Sequence, residues 1–442
     1  MVSSLDGRGS QLLAVPKIPA GTGKAEADAV FQTLKDWNLC DKVQGMCFDT
    51  TSSNTGRIKG ACILLEQLLE RHLLHIACRH HILELVAEAA FTASLFSSSA
   101  PEILLFKRFQ AQWQFIDQNR YEDCSTDDIA SNDIADIKEE TVNFLNEALI
   151  DVQPPDDYRE LIELALIFLG TRPSRGIHFA APGAMHQARW MSKTIYTFKV
   201  WMFRSQFKLT AHEEKGLRDL CIFFARVYVK AWTTAPLAVR APQDDLHLLQ
   251  NLVAYSAINK AIFKATSQKM AGHMWYLSEE LVALSFFDDN VTDDIKDHMV
   301  KAMSVIDGKV NCEKRIKVLL SASYLQDKSV ANFTSKNTIN FFNMLSLPQD
   351  FLQLPATQWK VNEEYQKART SVMKLSVIND HAERGVALVQ DFTGRLTKNE
   401  DQLQCLLQIV ADHRKHYPQA LKRAFVESNK LNCIESILID SE

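Results

Sequence analysis

The sequence predicts a mixed α/β unit followed by a long, all-helical stretch. Two observations carry this. Lys42 to Glu84 reads as strand, loop, helix, strand, helix, and beyond His81 the apolar residues recur at helical spacing for nearly three hundred residues. With 15 glycines and 12 prolines in 442 residues, helix breakers are sparse enough for long helices to dominate. A chain of this length exceeds one compact core, so two or three units are expected.

Taken in order, Val2 to Ser4 and Gln11 to Ile18 flank LDGRGS, whose Asp6-Gly7 and Gly9 suit a tight reversal between two strands. Pro19 to Gly23 is a loop, and Lys24 to Asn38 is an amphipathic helix. Val43 to Phe48 is apolar and partly β-branched, as a buried strand should be, and Asp49 stands where it stops. Thr50 to Thr55 ends the strand and offers Ser53 or Asn54 as N-cap for a helix over Arg57 to His72. His72 to Cys78 is a second strand. A βαβ unit of this length closes as a parallel crossover, and ligands of such sheets sit beyond the strands' carboxyl ends, where Asp49 lies. The order β, β, α, β, α, β is that of an RNase H-like sheet lacking its opening strand.

The helical region continues through Ile82 to Leu95, Glu102 to Ile116 and a helix opened by Pro154-Pro155-Asp156-Asp157 and ended by Gly170. Ser125 to Glu140 is acidic and poor in aromatics, which predicts a mobile surface linker or a frayed helix start. Glu213 to Ala235, Asp244 to Thr266, Gly272 to Phe287 and Thr292 to Val305 are predicted helices, as are Thr334 to Leu347 and Trp359 to Lys374. Asp288, Asp289, Asp293, Asp294 and Asp297 lack the Gly-bearing pattern of a Ca²⁺ loop and suit a charged helix start. Asp380 to Phe392 is a helix with Asp380 as N-cap and Glu383 in capping-box position.

Composition limits function. The formal net charge is −5, without the basic excess usual in proteins that grip phosphate backbones. The locally basic stretch is Thr171 to Phe207, with Arg172, Arg175, Arg189, Lys193, Lys199 and Arg204; its cations suit phosphates and Trp190 suits stacking on an unpaired base. Nine scattered cysteines indicate reduced thiols in an intracellular protein rather than a disulfide framework. No apolar run reaches the roughly 18 residues needed to span a bilayer, and the first residues do not resemble a signal peptide. Phosphate loops, nucleophile elbows and His-Glu-x-x-His motifs are absent from the sequence.

FDTTSSNTG at 48–56, CRHH at 78–81, ARW at 188–190 and HAERGVAL at 381–388 resemble the transposases of the hAT superfamily, in particular transposon-derived animal proteins. The likeness covers nearly the whole chain. It implies an RNase H-like core split by a large helical insertion: residues 1–83 as the first part of the core, 84–360 as the insertion, and 361–442 as the second part. It places the family's second catalytic Asp on Asp49 and its Glu on Glu383, which would together hold Mg²⁺ or Mn²⁺. Cys78 and His81 take its Cys-x-x-His motif, and Trp190 after Arg189 takes the insertion-domain Trp. The family's first catalytic Asp has no counterpart, since the sequence begins after that strand; Asp6 lies in the hairpin turn. Paired Mg²⁺ ions about 3.5–4 Å apart need several carboxylates, one of them bridging, so two do not suffice. The expectation is therefore a protein that binds DNA weakly through Arg172, Arg175, Arg189, Trp190 and Lys193 without cutting it. A non-enzymatic interaction scaffold, with protein partners or a homo-oligomer, is the other reading. The resemblance implies a nuclear location and no membrane.

Each motif also has a plain structural role open to it. Asp49 suits an Asx turn, Glu383 a capping box, His81 a hydrogen-bonded core histidine beside Leu85, and Trp190 the helical core.

Overall fold

The computed structural model describes residues 1–3, 10–11, 13–95, 103–151, 154–183, 190–304 and 313–380. Val2–Ser3 (β1) pairs antiparallel with Ser10–Gln11 (β2). The second strand is shorter than expected and Leu13 to Ile18 is irregular, as Pro16 removes a ladder donor. Helix α1, Gly23–Asp36, is capped by Thr22, whose hydroxyl accepts from Ala25 N. Gly45–Phe48 (β3) then pairs parallel with Leu74–Ala77 (β4), in register from Gly45 opposite Leu74 to Phe48 opposite Ala77. The expected parallel crossover is therefore present.

The crossover helix is shorter than the predicted Arg57 to His72, and the predicted capping loop itself forms a helical turn. A short turn of helix, Ser52–Thr55 (α2), is followed by a bend, and the main helix α3 runs over Ala61–Leu69 only. Gly56 and Gly60 approach so closely that a Cβ on Gly60 would lie 2.5 Å from the Gly56 carbonyl oxygen and 2.6 Å from that of Asn54. Ile58, expected on the buried stripe, is instead 79 % exposed.

The rest is helical: Arg79–Leu95 (α4), Leu104–Gln112 (α5), Asp128–Ile134 (α6), Lys138–Asp151 (α7), Asp156–Phe168 (α8), Trp190–Met202 (α9) and Ala211–Phe223 (α10). A π-helical turn, Phe224–Tyr228, leads from α10 into Val229–Thr234 (α11). There follow Ala241–Tyr255 (α12), Lys260–Ala271 (α13), Asp293–Met303 (α14), Ala322–Leu325 (α15), Ile339–Met344 (α16) and Glu363–Val372 (α17). The helix expected over Asp244 to Thr266 is two, separated at Asn259, whose side chain caps α13. Leu281–Phe287 is a wholly buried 3₁₀ segment rather than part of an α-helix.

The stretch expected to be a mobile surface linker or a frayed helix start is helical and packed. Ala130 and Ile134, one helical turn apart, are fully buried, Asp127 caps α6, and Asp136 pairs with Arg226. The acidic group at 288–297 is likewise structural: Asp289 pairs with Arg369, and Asp297 accepts from Ala356 N.

A small apolar cluster joins α1, α3, Leu13 and Leu73 on one side of the sheet. The main cluster begins at Phe48, Leu74, Ile76 and Ala77 and continues unbroken through the helical region to Val377. Helix α4 is its spine, buried on most sides and packed against α9, α10, α11 and α13. It crosses residue 84, where the first segment boundary was expected, so sheet and helices share one core. Among the described residues no helix is long and apolar enough to cross a membrane.

Candidate functional site

The strand register puts Asp49 and Cys78 side by side at the C-terminal ends of β3 and β4, where Cys78 N donates to Phe48 O at 2.7 Å. Asp49 Oδ1 accepts from Thr51 N (3.0 Å), Thr51 Oγ1 (2.6 Å) and Asn54 Nδ2 (2.7 Å). Burial opposes its charge, but these bonds from Thr51 and Asn54, with His81 nearby, hold its carboxyl below the usual range. The Asx turn is thus real, and it fixes one oxygen of the carboxylate.

The chain returns to this edge after the helical region. Arg79 N donates to Val377 O at 3.0 Å, and Cys78 Sγ donates to Asn379 Oδ1 at 2.8 Å. His80 Nδ1 lies 2.8 Å from Asp380 Oδ2 and its Nε2 3.2 Å from Trp232 O, with the Trp232 ring stacked on it at 3.9 Å. Both ring nitrogens face oxygen atoms, and the Tyr158 hydroxyl lies 3.4 Å from Nδ1. Asp380 Oδ2 thus ties this end of the chain to α4, while the helix that Asp380 was expected to cap falls outside the described residues. Glu383 lies outside the described residues.

The buried, hydrogen-bonded histidine of this motif is His80, 2 % exposed, and not His81 as expected. His81 is 24 % exposed, with Nδ1 4.0 Å from Glu84 Oε2. Cys78 turns to Asn379 while His81 turns to Glu84, so the pair shares no metal-like focus. Between them, Arg79 is buried: its Nη2 and Nε donate to Asp245 Oδ1 at 2.7 and 3.2 Å, and its Nη1 to Ala235 O at 3.2 Å. Burial pushes the Asp245 carboxyl up to about 6 against the pull of Arg79, and its Oδ2 has no hydrogen bond among the described residues.

Among the described residues no three His, Cys, Asp or Glu side chains converge on a cation position, and Asp49 has one carboxylate oxygen already engaged three times.

The basic stretch divides sharply. Lys193, expected at a nucleic-acid surface, is 8 % exposed; burial pulls its pKa down, with Glu88 and Glu84 opposing. The helical stripe of α9 faces the core there, which removes Lys193 from contact with a large ligand. Lys199 is buried, paired with Glu160 and donating to Ala180 O at 2.7 Å. Arg204 pairs with Glu122 at 2.7 Å and lies 3.8 Å over the Trp201 ring. Arg189 and the Trp190 side chain lie outside the described residues; Trp190 begins α9.

Arg172 and Arg175 remain exposed, with no ion pair among the described residues. Arg172 lines an open cleft of about 330 Å³ between the 118–121 turn and the 172–179 loop, together with Gln118, Asn119, Tyr121, His178 and Phe179. Phe179 is buried and packs on Tyr121 (5.6 Å) and Phe203 (4.8 Å). Gln206 staples the turn, donating to Asp117 O and Arg120 O and accepting from Asp117 N. Sequence reasoning found Arg172 and Arg175 but not Asn119 or Tyr121, which lie some fifty residues earlier in an unremarkable turn.

Comparison with family models, curated proteins and solved structures finds no match to this chain.

Proposed function

We propose that the protein is a transposase-derived nucleic-acid-binding protein: an RNase H-like core of hAT type interrupted by a helical insertion, which holds DNA rather than cutting it. One observation carries this reading. The chain leaves the edge marked by Asp49 along α4 and comes back to it 300 residues later, joining Asp380 to His80. A split core requires such a return, whereas a small sheet followed by an independent helical domain does not. Strand cleavage would need Glu383 and at least one further carboxylate beside Asp49. The test is titration of labelled DNA across a salt series, with hydrolysis followed in Mg²⁺ and in Mn²⁺. The expected result is affinity that falls steeply with salt, without cleavage. Affinity indifferent to salt, or absent, would overturn the binding claim. Cleavage lost on Asp49→Ala would overturn the claim of inactivity.

A second reading, an interaction scaffold without DNA, is favoured by the internal engagement of Lys193, Lys199 and Arg204, which leaves little of the basic stretch for phosphates. The same titration decides between the two.

A further inference from the structure

We infer that the cleft between the 118–121 turn and the 172–179 loop binds one unpaired nucleotide, its phosphate on Arg172 and its base on the Tyr121 side. This rests on the nucleic-acid-binding reading for its source, a single strand, and on the cleft's own chemistry for the rest.

Four observations point there. First, Arg172 and Arg175 are exposed cations without an ion pair among the described residues, in a stretch whose other described cations are engaged internally. The nearby carboxylate, Glu163, is pushed up by burial, while Arg159, Arg175 and His178 act to hold its charge. Of the carboxylates in the facing turn, Asp117 accepts from Asn119 N and Nδ2, and Glu122 pairs with Arg204. Second, the walls combine the groups a nucleotide needs: guanidinium and imidazole for the phosphate, side-chain amides of Gln118 and Asn119 for a base edge, and the Tyr121 ring for its face.

Third, the cleft is built in advance. Gln206 fixes one wall by three hydrogen bonds, and Phe179 anchors the other in the core. Gly176, at φ 86°, lets that loop turn between Arg175 and Ile177. Little ordering is then left to oppose binding. Fourth, about 330 Å³ is at the small end for ligand sites, enough for one nucleotide. A concave cleft cannot enter a duplex groove, which is read by a protruding helix or ribbon, so the nucleotide is unpaired.

The experiment uses the full chain and fluorescence anisotropy with a labelled 20-mer of thymidylate, the matching 20-bp duplex, and unlabelled thymidine monophosphate as competitor and calorimetric titrant. Arg172→Ala should weaken single-strand binding about tenfold and flatten its salt slope by about 0.7. Asn119→Ala should weaken it about fivefold with the slope unchanged. Lys24→Ala, on the exposed side of α1, removes one charge elsewhere and should do neither. Tight single-strand binding with these losses affirms both the cleft and the nucleic-acid reading. Monophosphate binding lost in Arg172→Ala, without binding of either DNA, affirms the cleft as a free-nucleotide site and overturns the nucleic-acid reading. DNA binding unchanged in both cleft variants overturns the cleft and leaves that reading standing. No binding of any probe overturns both.

Discussion

At the C-terminal edge of β3 and β4, polar groups are buried and held by carboxylates: Arg79 by Asp245, and His80 by Asp380. In the cleft beside α8 and α9, Arg172 stands exposed with no such partner among the described residues. The motif that draws the eye in the sequence, CRHH, is thus a joint that ties the helical region to the sheet. The chemistry left open to a ligand is elsewhere. A buried pair closed off from solvent is out of a large ligand's reach, while the exposed Arg172 guanidinium is accessible.

The difference can be broken most severely at Arg79. Arg79→Ala leaves Asp245 buried without its counter-charge, and should cost about 3–5 kcal/mol in urea unfolding. An effect under about 1 kcal/mol would mean that this joint is not closed in solution.

Asp245 sharpens the same point through pH. Its folded pKa of about 6 lies above the ordinary value, so the folded state holds that proton more tightly than the unfolded chain. The resulting stability is fully present below the unfolded pKa near 3.8 and is lost as pH rises through about 6. Relative to Asp245→Asn, the native protein should lose about 2–3 kcal/mol between pH 4 and 7. A parallel pair of stability curves would contradict the burial of this carboxyl.

Next in size, Asp380→Asn weakens the bond to His80 by about 1–3 kcal/mol. It should also speed reaction of Cys78 with a thiol reagent, because Asn379 covers that sulfur. Gly23→Ala should cost a similar amount, since its Cβ would fall 2.2 Å from the Lys59 carbonyl oxygen. Smallest of all, Arg172→Ala should move stability by no more than about 0.5 kcal/mol, while nucleotide binding falls. Loss of stability there would make Arg172 a structural residue.

Much of the fold was legible because local signals agreed with tertiary ones. The apolar strands at 43–48 and 72–78, the Gly170 stop and the helix start at Thr292 each act within a few residues. What failed depends on contacts between distant segments. The break before α3 follows from backbone pinched at Gly56 and Gly60 and from α1 packing against it at Gly23. The choice between His80 and His81 could not be read from periodicity, because α4 is buried on most sides and its polar residues do not fix its phase. Lys193 looked like a surface cation because its charge was visible and its burial was not. The cleft assembles from two loops that share no motif.

The return of the chain to the Asp49 edge is tested most directly by a cross-link. Asn379→Cys places a thiol one bond short of the amide oxygen that now sits 2.8 Å from Cys78 Sγ. Mild oxidation of the folded protein, followed by peptide mapping, should yield a disulfide between positions 78 and 379. If Cys78 stays free in the folded protein, or pairs only elsewhere, residues 377–380 do not close on this edge and the split-core account fails.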